Sequence, residues 1–259
     1  MLYESSNNQG IYSPREPRKN YYYRCVEENF EVLERVWDDR YQNTYGYWRT
    51  HILDVIYDYL DCGNLHLGFA RVKCEDCNKE YLLPFSCKRR AFCPSCHQRR
   101  VVEFGEFLYT EVLKEVSHRQ WVFSIPKRLR CYFMYDRKLL AKLSRCAWKV
   151  LCDYLKSSSG DKDSVPGVVI AVQTFGDFLN FNPHLHVIAT DGCFKGDGDF
   201  IKSVLPQGKD IEKVFQSEGL KMLKKEGKIN QFIIDNMLSW ENTGFNVYCG
   251  EAIYAEEQE

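Results

Sequence analysis

Residues 168–192 read VVIAVQTFGDFLNFNPHLHVIATDG. Two apolar runs rich in β-branched residues, 168–175 and 184–190, flank a turn-rich connection at 176–183, and Asp191-Gly192 closes the second run. This is the pattern of two buried strands. Side chains two apart on a strand share a face, so His184 and His186 stand side by side while Leu185 and Val187 enter the core. Paired histidines on a strand often have no ligand role. Gln173 supplies context, because it lies on the preceding strand, where antiparallel pairing brings its amide oxygen next to the imidazoles. Two imidazoles and one amide leave open positions on a divalent ion for phosphate oxygens and water.

Working outward, Trp121 to Pro126 reads as a strand stopped by proline, and a last strand lies near 245–249. Helical periodicity marks 99–115, 211–225 and 229–238, and also 136–155, closed by a Ser157-Ser158-Ser159-Gly160 linker. Toward the N-terminus, Val26, Phe30, Leu33 and Trp37 recur at helical spacing, as do Ile52, Val55, Ile56 and Tyr59 within 48–60. No internal repeat is visible. The fold class is α+β: a flexible tail over 1–20, a helical and zinc-ribbon module over 21–117, and a domain over 118–259 with an antiparallel sheet from strands near 121, 168, 184 and 245, flanked by helices.

The chain holds 12 cysteines. Cys74-x2-Cys77 and Cys93-x2-Cys96 are two close pairs fifteen residues apart, the spacing of a four-thiolate structural zinc site. The competing reading is four ordinary buried or redox thiols. Cys87 and His97 lie inside or beside the same element, and either fits as a replacement ligand or as part of a second site. Cys25, Cys62, Cys131, Cys146, Cys152, Cys193 and Cys249 read as structural thiols in a reducing compartment.

At 259 residues and 44% hydrophobic content the chain can bury a sizeable core. No run reaches the roughly 20 apolar residues of a membrane span, and the first 20 residues lack the apolar centre of an export signal. The expectation is a cytoplasmic protein with no membrane contact. Net charge is −1, but residues 71–149 carry 18 Lys and Arg against 8 Asp and Glu, or +10, which leaves −11 for the rest. The positive charges cluster at Lys88-Arg89-Arg90, at Arg99-Arg100, at Lys127-Arg128 with Arg130, and at Arg137-Lys138. One such cluster is commonly a solvated face; several beside a zinc module point to nucleic acid.

The runs FARVKCEDCNKEYLLPFSCKRRAFCPSCHQRR (69–100), HRQWVFSIPKRLR (118–130), VQTFGDFLNFNPHLHVIATDG (172–192) and LSWENTGFNVYCG (238–250) resemble the zinc-binding, rolling-circle transposases of bacterial insertion sequences, the insertion-sequence ninety-one group. The resemblance implies a catalytic domain of the HUH type and single-stranded DNA element ends as partner. It implies structural zinc on Cys74, Cys77, Cys93 and Cys96, and Mg or Mn on His184 and His186 with Gln173 as third ligand. In that family a tyrosine on a downstream helix attacks the scissile phosphate. No such tyrosine is identified in this chain: Tyr248 falls in the last strand and Tyr254 in an acidic tail, so catalysis by this chain alone is expected to be impaired. The alternative reading is a non-catalytic, zinc-dependent DNA-binding protein, a transposase remnant. A zinc-ribbon factor acting on RNA would need exposed aromatics to stack on single strands.

Overall fold

A computed structural model describes residues 17–89, 91–176, 180–203 and 209–254. Arg90 and most of the N-terminal tail lie outside the described residues. The chain divides into two compact units, one ending at Glu111 and one starting at Val112.

In the first unit, α1 (Tyr21–Arg40) is capped by the Asn20 side chain, which accepts from the Tyr22 N–H. A short α2 (Gln42–Tyr45) and α3 (His51–Leu60) follow. Tyr23 and Phe30 of α1 and Ile56 and Tyr59 of α3 are the buried positions, at helical spacing. The antiparallel hairpin β1 (Phe69–Lys73) and β2 (Glu80–Pro84) comes next, then α4 (Pro94–Phe107), which a π turn (Leu108–Val112) extends. This last helix starts earlier than its apolar pattern suggests. Cys93 takes the N-cap position and Pro94 the first turn, where proline's missing N–H has no helical partner to lose.

The second unit is a four-stranded antiparallel sheet in the order β4-β5-β3-β8: β3 (His118–Ser124), β4 (Val168–Phe175), β5 (Phe181–Thr190) and β8 (Asn246–Ile253). One face is the core. Trp121, Phe123, Leu185, Val187 and Ala189 pack with Leu139, Leu143, Ala147, Val150, Leu151 and Leu155 of α6 (Lys138–Ser159) and with Ile211 and Phe215 of α7 (Lys209–Lys225). Phe123 and Phe215 meet edge-on with centroids 4.9 Å apart. Ile234 and Met237 of α8 (Gln231–Leu238) complete this layer. Because strands alternate, the residues between these core positions, including both histidines, point to the opposite face.

Three local features differ from the sequence reading. The serines taken for a linker belong to α6: Ser157 and Ser158 hydroxyls donate to the carbonyls of Asp153 and Tyr154 one turn back, and the helix ends at Gly160 in the left-handed conformation. A short helix α5 (Arg130–Tyr135) follows the proline that stops β3. A hairpin of three-residue strands, β6 (Gly192–Phe194) and β7 (Phe200–Lys202), follows β5. Gly192 is required there, since a Cβ would lie 2.1 Å from the Ile201 carbonyl oxygen. Arg119 bonds both Asp191 (2.8 Å) and the Gly250 carbonyl (3.1 Å), tying β3 to the end of β5 and to β8.

Candidate metal centres

Four thiols converge in the first unit, and they are Cys62, Cys87, Cys93 and Cys96. Sulfur separations are 3.8 Å for Cys62–Cys96, 3.7 Å for Cys87–Cys96 and 3.8 Å for Cys62–Cys93. A tetrahedral zinc with bonds of ~2.3 Å holds its sulfurs about 3.8 Å apart, whereas a disulfide needs ~2.05 Å. The quartet has the dimensions of a four-thiolate metal site.

Each sulfur is set by local structure. Cys62 follows the C-terminus of α3, and Gly63, at positive φ, turns the chain so that its N–H bonds the Phe85 carbonyl (3.1 Å) beyond β2. After Cys87, Lys88 adopts φ 56°, which aims the Arg89 N–H at the Cys87 sulfur (3.4 Å). Cys93 and Cys96 occupy the start of α4, where the helix dipole favours thiolate. Burial, then repulsion from neighbouring sulfurs, pushes Cys93 up to about 11 and Cys87 higher still. Cys96 is held low: burial opposes its ionisation, but donation from the Cys87 thiol and the Lys88 N–H outweighs it. A divalent metal supplies the charge that ionises thiols such as Cys87 and Cys93, which burial otherwise keeps protonated.

Only half of the ligand set expected from spacing is therefore present. Cys93 and Cys96 join Cys62 and Cys87, while Cys74 and Cys77 lie exposed in the turn that closes the β1–β2 hairpin. The register runs from Lys73↔Glu80 at the closed end to Phe69↔Pro84 at the open end. Four residue steps of ~3.4 Å separate the ends by roughly 14 Å, beyond the reach of one ion. Cys62, read as structural, is a member of the quartet, and so is Cys87. His97 is exposed and stands outside it.

On the second unit's open sheet face, His184 Nε2 lies 3.1 Å from His186 Nε2. Two nitrogens ~2.1 Å from one ion lie about 3.0 to 3.4 Å apart, so the pair matches two adjacent coordination positions. His184 Nδ1 is 2.7 Å from the Asn182 carbonyl, which fixes the proton on Nδ1 and leaves the Nε2 lone pair toward the shared point. Burial, then the neighbouring imidazole, holds His186 below the usual histidine value, favouring the neutral ligand form. Gln173 pairs in register with His184, and its amide N–H donates to the Phe175 carbonyl (3.0 Å), so Oε1 is the atom it could offer an ion. Sequence reasoning missed Gln120, whose amide nitrogen lies 3.5 Å from His186 Nδ1. An amide two residues from the end of a polar-apolar alternation carried no distinguishing signal.

Residues directly opposite one another share a face, so Ser124 and Asn246 extend the His184 row, and Val122 and Tyr248 extend the His186 row. Tyr248 is exposed and sits two strands from His186. Tyr254 follows β8, with the Lys202 ammonium 5.2 Å from its ring centre.

Residues 32–125 match the family described as "Transposase zinc-binding domain", and residues 167–259 match "Putative transposase". The chain belongs to the IS91 group of transposases. It is similar to the "Transposase for insertion sequence element IS801" of Pseudomonas savastanoi pv. phaseolicola, 30% identical over 54% of this chain and 33% of that protein. It is also similar to the "Putative transposase y4qJ" of Sinorhizobium fredii, 24% identical over 53% of this chain and 34% of the relative. The matches thus span about a third of the length of these curated relatives. No solved structure matches the chain.

In this IS91-group chain the basic residues differ in availability. Lys88, Lys127 and Arg128 are exposed. Arg89 bonds Asp58 (2.6 Å) and Arg99 bonds Glu103 (2.6 Å), so part of their charge is already neutralised. The Arg100 guanidinium lies 5.1 Å from the Phe104 ring centre. Arg128 bonds Asn236 (2.9 Å) and lies over Trp240. Arg130 is half-buried, its Nε has no hydrogen-bond partner among the described residues, and burial lowers its pKa. No helix among the described residues is long and apolar enough to cross a membrane.

Proposed function

We propose that this chain is the DNA-handling and strand-cleaving part of an insertion-sequence transposase. His184, His186 and Gln173 hold Mg or Mn, and single-stranded element ends are the DNA bound beside them. The observation that carries this reading is the 3.1 Å approach of two Nε2 atoms on the open face of an antiparallel sheet, in a chain of a transposase family. A divalent ion bound there supplies Lewis acidity to a scissile phosphate. The chain's own contribution is to present two neutral imidazoles side by side, the Asn182 carbonyl holding the Nδ1 proton of His184 and Gln120 lying beside His186 Nδ1, on a face open to a nucleic-acid strand. Exposed Lys88, Lys127 and Arg128 neutralise backbone phosphates, with the division at about residue 117 separating a zinc-stabilised DNA-binding module from the cleavage domain. The cleaving nucleophile is a tyrosine not identified in this chain: its oxygen bonds the scissile phosphorus, the bond from phosphorus to the 3′ oxygen breaks, and the products are a 5′-phosphotyrosine link and a free 3′-hydroxyl on the same strand.

The alternative, DNA binding without cleavage, is favoured by one observation: the tyrosine that shares the histidine face, Tyr248, is on a strand with its neighbours fixed by pairing on β3. Covalent capture on labelled single-stranded element ends, with and without Mg or Mn, decides between the two. A metal-dependent adduct lost in His184→Ala supports cleavage; binding with no adduct supports the alternative.

A further inference from the structure

The two cysteines left out of the buried quartet sit in a turn built like a metal knuckle. Cys74 N–H donates to the Lys79 carbonyl (2.9 Å) and Asn78 N–H to the Cys74 carbonyl (3.0 Å), with Asn78 at φ 55°. This folds the chain into a tight turn that carries both cysteines. The buried quartet shares one feature of this turn, a left-handed residue just after a cysteine: Lys88 follows Cys87 as Asn78 follows Cys77. A bidentate pair between Arg71 and Glu80 (2.9 and 2.8 Å) braces the strands beneath the turn. Both sulfurs are exposed, although free cysteine is among the residues most often buried.

Two thiolates fill half of a tetrahedral site. Among the described residues, the only group of three or more potential ligands is the Cys62 quartet, so this chain's described part does not complete the second pair. We propose that Cys74 and Cys77 form half of a second, zinc-type metal site, closed by the same pair from a second copy of this chain. The second copy supplies the missing number and type of ligand through one two-fold axis, the commonest symmetry of protein pairs. The turn is also self-complementary in charge: Lys73 and Lys79 flank Glu75 and Asp76, so two turns related by a two-fold axis can set lysines against carboxylates. This inference is independent of the cleavage reading.

The test uses the full chain loaded with zinc, comparing wild type with Cys74→Ser/Cys77→Ser by metal analysis and analytical ultracentrifugation. Because the bridge shares one ion between two chains, the variant should carry about 0.5 zinc per chain less than wild type, and only wild type should shift to twice its mass with zinc. Loss of a full equivalent, an unchanged zinc content, or a mass that ignores zinc overturns the proposal. Alkylation needs no variant: in the zinc-loaded dimer Cys74 and Cys77 should resist iodoacetamide and should react once a mild chelator returns the chain to monomer. Free reaction of both thiols in the zinc-loaded dimer also overturns it.

Discussion

Replacing Cys62 with serine separates two ligand sets that differ by only two members. In the quartet Cys62 contacts both Cys93 and Cys96 at 3.8 Å, and its sulfur also accepts the Cys87 N–H (3.4 Å). A structural zinc site binds with an apparent 10 to 16 kcal/mol, so one ligand of four represents roughly 3 kcal/mol, or about a hundredfold in affinity. The first unit should feel that loss as lost stability, because its buried cluster around the metal is small: Tyr23, Tyr59, Cys62, Cys93 and Cys96, with Phe92 packed edge-on against Tyr59. Cys62→Ser should therefore weaken zinc retention about a hundredfold in a chelator competition and lower the first unit's melting transition. Cys74→Ser should leave both the tight-site affinity and that transition unchanged, since its sulfur lies at the far end of the hairpin. If Cys74→Ser strips the tightly held zinc and Cys62→Ser does not, the quartet is wrong and the ligands are the two CxxC pairs.

Four further outcomes follow from the geometry. His184→Ala should abolish divalent binding at the sheet face while leaving zinc and melting temperature intact, because the imidazole opens onto solvent; in wild type, with His186 held below the usual histidine value by burial and the neighbouring imidazole, isothermal titration should find affinity constant near neutral pH and falling in acid as His186 takes a proton. Gln120→Glu, which offers His186 Nδ1–H an acceptor and so frees Nε2 for the ion, should tighten the same site by about 10- to 100-fold, a pattern that a packing role would not give. Removing Lys88 or Lys127 should each flatten the salt dependence of single-stranded DNA binding by about 0.7 in log–log slope, and the ion-paired Arg99 by less; equal slopes for all variants would remove these residues from the interface. Asp191→Ala strands Arg119 beside a nearly buried position, with the carboxylate 1% exposed in wild type, and should cost about 3 to 5 kcal/mol by chemical denaturation.

What the sequence revealed depended on how far apart the cooperating residues lie. The histidine pair was legible because strand alternation is local, and the Gln173–His184 register followed from a short connection between two strands, which left few pairings available. The zinc quartet was half legible. Cys93-x2-Cys96 is a helix-start motif that reads on its own, but Cys62 and Cys87 reach it only because the hairpin returns to its open end, where the Gly63 N–H meets the Phe85 carbonyl. Spacing counts residues along the chain and does not see that return. The serines at the end of α6 deceived for a different reason: their hydroxyls satisfy helix carbonyls as readily as they solvate a linker, and the burial of Leu151 and Leu155 just before them decides for the helix. The contrast between the two centres follows from where each stands in its unit. The thiols are the core of the first unit, so a metal held there is part of its folding energy; the imidazoles project from a sheet whose core of Trp121, Phe123, Leu185 and Val187 is complete without them, so loss of an ion from that face would leave the core intact.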